Sequence, residues 1–385
     1  MVLKVVRYSI LFLVLLNIPA FLLVYTSPGP AAAASYLTSL LLLFYFYFKK
    51  PWQQPIIPLI VFTILYFTIS GLNYNGDSVY YLKEFIRFSI TVICMTQVMY
   101  NSKFSDIYYI LLIGGVSIII NGIIFPQTNA IYGLVNGRFG GILLNPNTAG
   151  ITCMLGMALS YSIKNTWWRM IGQGIFTFAG ILTLSRTFIV VWFLINFLAV
   201  LKSKKNLIAP VIGSIALILL FTFADNKNFA TDRFDALTSF FTEGEIKSKT
   251  LGHDTRDQSW SLYYELIYDK PFFGNGFLSF QRPSRGLPGA HNSYLMIIGE
   301  SGFLPLLLFL GILVYLLKNS IALYRKKPYI LFVLLVVMLN LMASHTFFFY
   351  YQSVSLLIFV FLEIKKSKLS FKKENKLNPH LQQQT

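Results

Sequence analysis

An all-α, polytopic membrane fold of about twelve transmembrane helices is predicted by three observations. The first is composition: the 385 residues are 55% hydrophobic, 17% aromatic and 12% charged, with a mean hydropathy of +0.62, far too apolar for a water-soluble surface. The second is spacing. Crossing a hydrocarbon core of about 30 Å takes roughly 20 helical residues, and apolar runs near that length fall at 8–25, 31–48, 55–71, 84–100, 107–125, 148–163, 169–184, 187–201, 207–224, 292–317, 329–345 and 347–363. The third is that every even-numbered run exits into a basic loop.

The first run follows Lys4 and Arg7 and leads to Ala31-Ala32-Ala33-Ala34, a pattern that also fits a cleavable signal peptide. An uncleaved helix is expected, because its removal would put Lys49-Lys50 out of register with every later loop. With the N-terminus inside, the cytoplasmic ends then collect Lys49/Lys50, Lys103, Lys164/Arg169, Lys202/Lys204/Lys205, Lys318/Arg325/Lys326/Lys327 and the tail from Lys365/Lys366. The formal net charge of +17 is thereby a topology signal and gives no reason to invoke nucleic acid. The tail reads as a solvated cytoplasmic end within reach of anionic lipid headgroups. Cys94 and Cys153 both fall inside apolar runs, so neither a disulfide framework nor a cysteine metal site is implied.

One connection is long. Residues 225–290, expected on the outer face, hold nine acidic and eight basic residues, a nearly neutral segment of the kind that carries function. A helix is predicted over Asp254 to Tyr268, with Trp260, Tyr264 and Ile267 on one side, stopped by Asp269-Lys270-Pro271. Gly274-Asn275-Gly276 follows as a turn. The expected organisation is helices one to nine over 1–224, the outer loop over 225–290, helices ten to twelve over 291–364 and a basic tail over 365–385. No internal repeat is visible, which argues against a transporter of repeated halves.

Candidate chemistry gathers at the outer ends of these helices. His291, in Gly289-Ala290-His291-Asn292-Ser293-Tyr294, is a titratable group where the polar loop meets the tenth run. Arg138 stands in Arg138-Phe139-Gly140-Gly141 before Asn145-Pro146-Asn147, Arg186 in the tight Thr183-Leu184-Ser185-Arg186-Thr187 turn, and Arg256 four residues before Trp260. Each has a bland alternative. Arginines at helix ends, Arg87 and Arg138 among them, serve by snorkelling to headgroup phosphates, and His291 and His345 read equally as interfacial polar residues. Glu300, between Gly299 and Ser301-Gly302, reads as a structural pair inside close helix packing. On a regular helix it lies about 13.5 Å from His291, too far for a dyad. The three arginines and the histidine share one side, where guanidinium would pair with phosphate oxygens without a metal.

Taken in this order, and with Pro271, Gly274-Asn275-Gly276, Glu300 and Gly302, these motifs resemble those of the O-antigen ligase and polymerase family of bacterial membrane glycosyltransferases. The resemblance covers most of residues 84–317. It implies a helical fold of the GT-C kind in the inner (cytoplasmic) membrane, both termini cytoplasmic. It further implies a polyprenyl-diphosphate-linked glycan as donor and a glycan or lipid A core as acceptor. By the same resemblance Arg186 and Arg256 bind the donor diphosphate and His291 is the base, with Arg138, Trp260, Asn292 and Glu300 as substrate-binding candidates. Neither metal nor other cofactor is implied, and the outer loops hold no Asp-x-Asp.

The residues fit that chemistry independently. A histidine with an ordinary pKa of about 6.5 can take a proton from a sugar hydroxyl as it attacks an anomeric carbon. The arginines would stabilise the leaving diphosphate, and in-line attack gives inversion. Pro305, where ligases commonly carry Gly, Thr or Tyr, favours a polymerase of surface polysaccharide repeat units over a ligase. From a different class, a flippase for lipid-linked sugars would gather its charges around a central cavity rather than at one face.

Overall fold

The computed structural model describes residues 1–126, 137–223, 256–281, 287 and 289–377, and every regular element among them is helical. The N-terminal half contains α1 (Val2–Leu15), α2 (Ile18–Tyr25), α3 (Pro28–Phe48), α4 (Ile57–Leu72), α5 (Ser78–Tyr100) and α6 (Phe104–Ile124). Then come α7 (Pro146–Ser160), α8 (Thr166–Leu182), α9 (Arg186–Lys202) and α10 (Ile208–Phe223). The remainder is α11 (Arg256–Ser261), α12 (Tyr264–Asp269), α13 (Ser293–Ser301), α14 (Phe303–Leu323), α15 (Pro328–Ala343) and α16 (Gln352–Leu377). Helices α3, α6 and α14 are each long and apolar enough to cross a membrane, and the bent pair α1–α2 makes a fourth if it is one span.

Several starts are written into the sequence as caps, which satisfy N–H groups that a helix leaves orphaned. Asp77 accepts from Val79 N at 2.9 Å, Asn145 from Asn147 N at 2.8 Å, and Asn165 from Trp168 N at 3.2 Å. Pro146 occupies the first position of α7, where its missing N–H costs nothing.

Helix α7 is the axle of the bundle. Only Asn147 and Thr148 escape burial along it, and it packs on α6, α8, α9 and α15. Its small residues make this possible: a side chain at Gly156 would overlap the Phe176 ring, and one at Gly150 would press on the Ser185 and Phe188 side chains at 3.1 and 3.2 Å. The periphery is apolar, with Leu40, Ile64, Phe197 and Val314 each more than half exposed or close to it. Such a surface suits lipid and not water.

The chain ends sort by charge. Arg7 pairs with Asp106 at 3.2 Å, and Glu363 takes Lys327 at 3.6 Å and Lys366 at 3.0 Å. Lys366 also lies over the Tyr100 ring, and the Tyr324 hydroxyl donates to the Leu198 carbonyl. These contacts gather the ends of α5, α9 and α14 and the starts of α1, α6 and α15 at one basic end. Arg186 at the start of α9 and Ala343 at the end of α15 therefore fall together at the other.

Three expected helices are interrupted. The first run breaks at Leu16-Asn17, with Asn17 left-handed at φ 49° and a bend of 63° between α1 and α2. The carbonyl of Leu15 that the break frees accepts from Tyr350 Oη at 3.0 Å and Gln352 Nε2 at 2.8 Å, so that carbonyl is not left bare in the apolar interior. The tenth run breaks at Gly302, which has φ 80° and a space filled by the Phe272 carbonyl that no Cβ could share. The twelfth starts later, at Gln352, and residues 344–351 are a non-helical connection. Where a single helix is expected over 254–268, the described residues form two short ones turned at Leu262-Tyr263. That turn changes the register: Tyr263 is buried against Phe280, ring centroids 4.6 Å apart, while Tyr264 is exposed.

Arg87 does not snorkel. Its guanidinium donates to Glu84 at 3.2 Å and Ser35 at 2.9 Å beside a cavity of about 150 Å³ between the α1–α2 break, α3, α5 and residues 349–351. The pair compensates the cost of charge in an apolar surrounding.

Candidate functional site

His291 is exposed and adopts a left-handed backbone, φ 45°. That conformation is uncommon for a residue with a Cβ and persists where neighbours impose it. Here the Ala290–His291 peptide is held at both edges. Trp260 Nε1 donates to the Ala290 carbonyl at 3.0 Å, and the His291 N–H donates to His345 Nδ1 at 3.1 Å. The two imidazole rings lie 4.7 Å apart, centroid to centroid.

The residues that follow are committed to the fold. Asn292 is buried and caps α13, its Oδ1 accepting from Tyr294 N at 2.9 Å and Leu295 N at 3.2 Å. Ser293 Oγ donates to the Ser344 carbonyl at 2.6 Å, and Tyr294 Oη to that of Met338 at 3.1 Å. These bonds fasten the start of α13 to the end of α15 and to the connection that carries His345.

Glu300 is wholly buried, with donors all round. Its carboxylate accepts from the Tyr66 hydroxyl, from Gln281 Nε2 at 2.8 Å and from Phe280 N at 3.1 Å. The backbone beside it receives Asn275 N on the Gly299 carbonyl at 2.7 Å and Gly276 N on the Glu300 carbonyl at 3.1 Å. Glu300 thus bolts the Gly274–Gln281 turn to α4 and α13, and does not reach His291. Replacing Glu300 with leucine strands three buried donors, at about 1–3 kcal/mol each. The expected result is a large fall in the melting temperature of the detergent-solubilised protein, with glutamine, which keeps one acceptor oxygen, falling less. Equal melting curves for both variants and the parent would remove this structural role.

Arg138 and Arg186 are brought together but used differently. Arg138 is buried, donating from Nε to the Thr183 carbonyl at 2.9 Å and from Nη2 to Asn147 Oδ1 at 2.9 Å. With the Phe139 N–H on the Leu182 carbonyl at 3.2 Å, it braces the turn that presents Arg186. Arg186 is exposed as the first residue of α9 and makes no hydrogen bond or ion pair among the described residues. A cation there opposes the helix dipole, while an anion would gain from both the dipole and the guanidinium. Arg256 opens α11, but its side chain lies outside the described residues, as does the whole of His253.

His345 reads from sequence only as an interfacial polar residue, and no local spacing signals its role: the contact to His291 closes over 54 residues. Burial, and secondarily the neighbouring His291, lower the His345 pKa from 6.5 to about 4. The folded protein therefore binds fewer protons than the unfolded chain between those values. Stability is fully present above about pH 6.5 and declines as pH falls toward 4. Melting temperatures measured at pH 7 and pH 5 should differ more for the parent than for a His345→Asn variant, which has nothing to titrate there.

Residues 172–310 match the family model described as O-antigen ligase. That stretch of the chain is similar to an O-antigen ligase domain. No curated protein and no solved structure matches the chain. The match supports a role in membrane glycan transfer, and the matched residues include Arg186, Arg256, Trp260, His291, Asn292 and Glu300. Arg138 and His345 lie outside the matched residues, yet the fold sets each against a member of the domain.

Proposed function

We propose that the protein transfers a glycan from a polyprenyl-diphosphate donor to a sugar hydroxyl at the outer face of the inner membrane. The observation that carries this is the presence, at one end of the bundle, of an exposed histidine and of an exposed arginine that has no partner among the described residues. His291 takes the acceptor hydroxyl proton as that oxygen bonds to the anomeric carbon. The bond from that carbon to the diphosphate oxygen breaks, and the leaving group departs with the electron pair and the charge. Arg186, with Arg256, stabilises this charge. Attack from the face opposite the leaving group inverts the anomeric centre, and none of these roles calls for a metal.

In this reading twelve spans carry the chain across the membrane, with both termini inside and residues 225–290 outside. Arg138 and Trp260 act by holding the two active elements, while Asn292 and Glu300 maintain the scaffold.

The acceptor is proposed to be another lipid-linked repeat unit, which makes the protein a polymerase of surface polysaccharide. The ligase alternative, transfer to lipid A core, is favoured by the description of the matching family model. Pro305 weighs less than its sequence position suggests. It is the third residue of α14, inside the first turn where N–H groups lack helical partners, so the helix start alone accounts for it. Glycans from a deletion strain decide between the two. Single repeat units on core mean a polymerase was lost; long lipid-linked chains with bare core mean a ligase was lost. Unaltered glycans in that strain, and no transfer by purified protein, would overturn both.

A further inference from the structure

We propose that His345 is a positioning residue for the glycan transfer assigned above to His291, acting through the Ala290–His291 peptide together with Trp260. This rests on the reading of His291 as the base. One trans peptide carries its carbonyl and its N–H on opposite edges. The carbonyl edge is taken by the Trp260 indole N–H at 3.0 Å and the N–H edge by His345 Nδ1 at 3.1 Å. Two side chains, from the outer segment and from the connection before α16, thus close on one peptide plane from either side.

The clamp answers a specific need. His291 stands at φ 45°, a conformation its own side chain disfavours, and Gly289 and Ala290 before it belong to no regular element. Rotation of the Ala290–His291 peptide would swing the imidazole away from any fixed reaction centre. The N–H edge needs an acceptor atom with a lone pair and no proton, which a neutral imidazole supplies at Nδ1 when its proton is on Nε2. Protonation of Nδ1 would replace that lone pair by a donor facing the His291 N–H. The remaining geometry accommodates the ring: a Cβ on Gly289 would come within 2.9 Å of His345 Cε1, so glycine there leaves room for the imidazole. The Ser293 bond to the Ser344 carbonyl at 2.6 Å fixes the backbone adjacent to His345 on the same side.

The clamp is separable from a packing role by whether a lone pair in the right place is sufficient. Asparagine offers its Oδ1 near the position of Nδ1, whereas alanine offers nothing. Transfer from a polyprenyl-diphosphate glycan would be measured with full-length protein purified in detergent, for His291→Ala, His345→Ala, His345→Asn, Trp260→Phe and the His345→Ala/Trp260→Phe double variant. The expected result is loss of transfer in His291→Ala and a kcat about 10- to 100-fold lower in His345→Ala, the scale of a misplaced catalytic group. The donor KM should stay within about threefold, and His345→Asn should return kcat to within a few-fold of the parent. Because both side chains act on one peptide, the double variant should lose less than the product of the single losses. Parent-like kcat in His345→Ala, or His345→Asn as slow as His345→Ala, overturns the clamp while leaving His291 as the base. Full transfer by His291→Ala overturns the reading of the base and the clamp with it. If His345→Ala does not survive purification, the asparagine variant and Trp260→Phe, which loses the indole N–H but keeps an aromatic ring, carry the same decision.

Discussion

Alanine at position 291 is expected to lower kcat for glycan transfer by about 10²–10⁴-fold, the usual contribution of a positioned general base. The reason is chemical: a sugar hydroxyl is a poor nucleophile, and His291 is the exposed imidazole at the end of the bundle where Arg186 is also presented. A histidine in a left-handed conformation could instead be retained for its backbone alone, so alanine is not a sufficient test. Asparagine tolerates φ near +50° better than most side chains and keeps a polar tip, but has no basic nitrogen. His291→Asn should therefore be as inactive as His291→Ala although its backbone is easily accommodated. Turnover by His291→Asn close to the parent rate would show that shape, and not basicity, is what the position supplies.

The second large effect is expected at Arg186. Removing its guanidinium should lower kcat/KM by about 10²–10³-fold, comparable to loss of one charge-stabilising donor. Lysine should recover little of it, because a point charge cannot reproduce a bidentate fork on a phosphate. The distinguishing mark is stability. Arg186 has no hydrogen bond or ion pair to lose among the described residues, and as the first residue of α9 it works against the helix dipole. Melting temperature in detergent should be unchanged or slightly higher in Arg186→Ala while transfer collapses. A matching fall in stability and activity would make Arg186 a structural residue and remove it from the proposed mechanism.

These two residues also mark how far the sequence could be read. Both stand at element boundaries that local patterning fixes: Thr183–Ser185 leaves too few residues for a loop, and the helix start at Ser293 follows an asparagine cap. The roles of their neighbours were not visible in that way. Arg138, Arg186 and Arg256 look alike in sequence as arginines beside apolar runs. Only the fold separates a buried brace on the Thr183 carbonyl from an exposed guanidinium that is unengaged among the described residues. Glu300 was expected to have a partner, but its three donors come from residues 66, 280 and 281, far from it in the chain or across a turn. The two helices of residues 256–269 and the breaks at Asn17 and Gly302 escaped periodicity because a local change of backbone leaves hydrophobicity intact.

Composition, run length and the placement of basic residues were enough to determine an apolar helical protein, because solvation by lipid constrains every residue along the chain at once. The order of motifs was enough to point to the family that residues 172–310 match. What the tertiary structure alone decided is which polar groups are already engaged. A hydrogen bond such as His291 to His345, across 54 residues, depends on the direction of two backbones and the packing of α13 against α15. No spacing rule encodes that, since it arises only once the helices have packed.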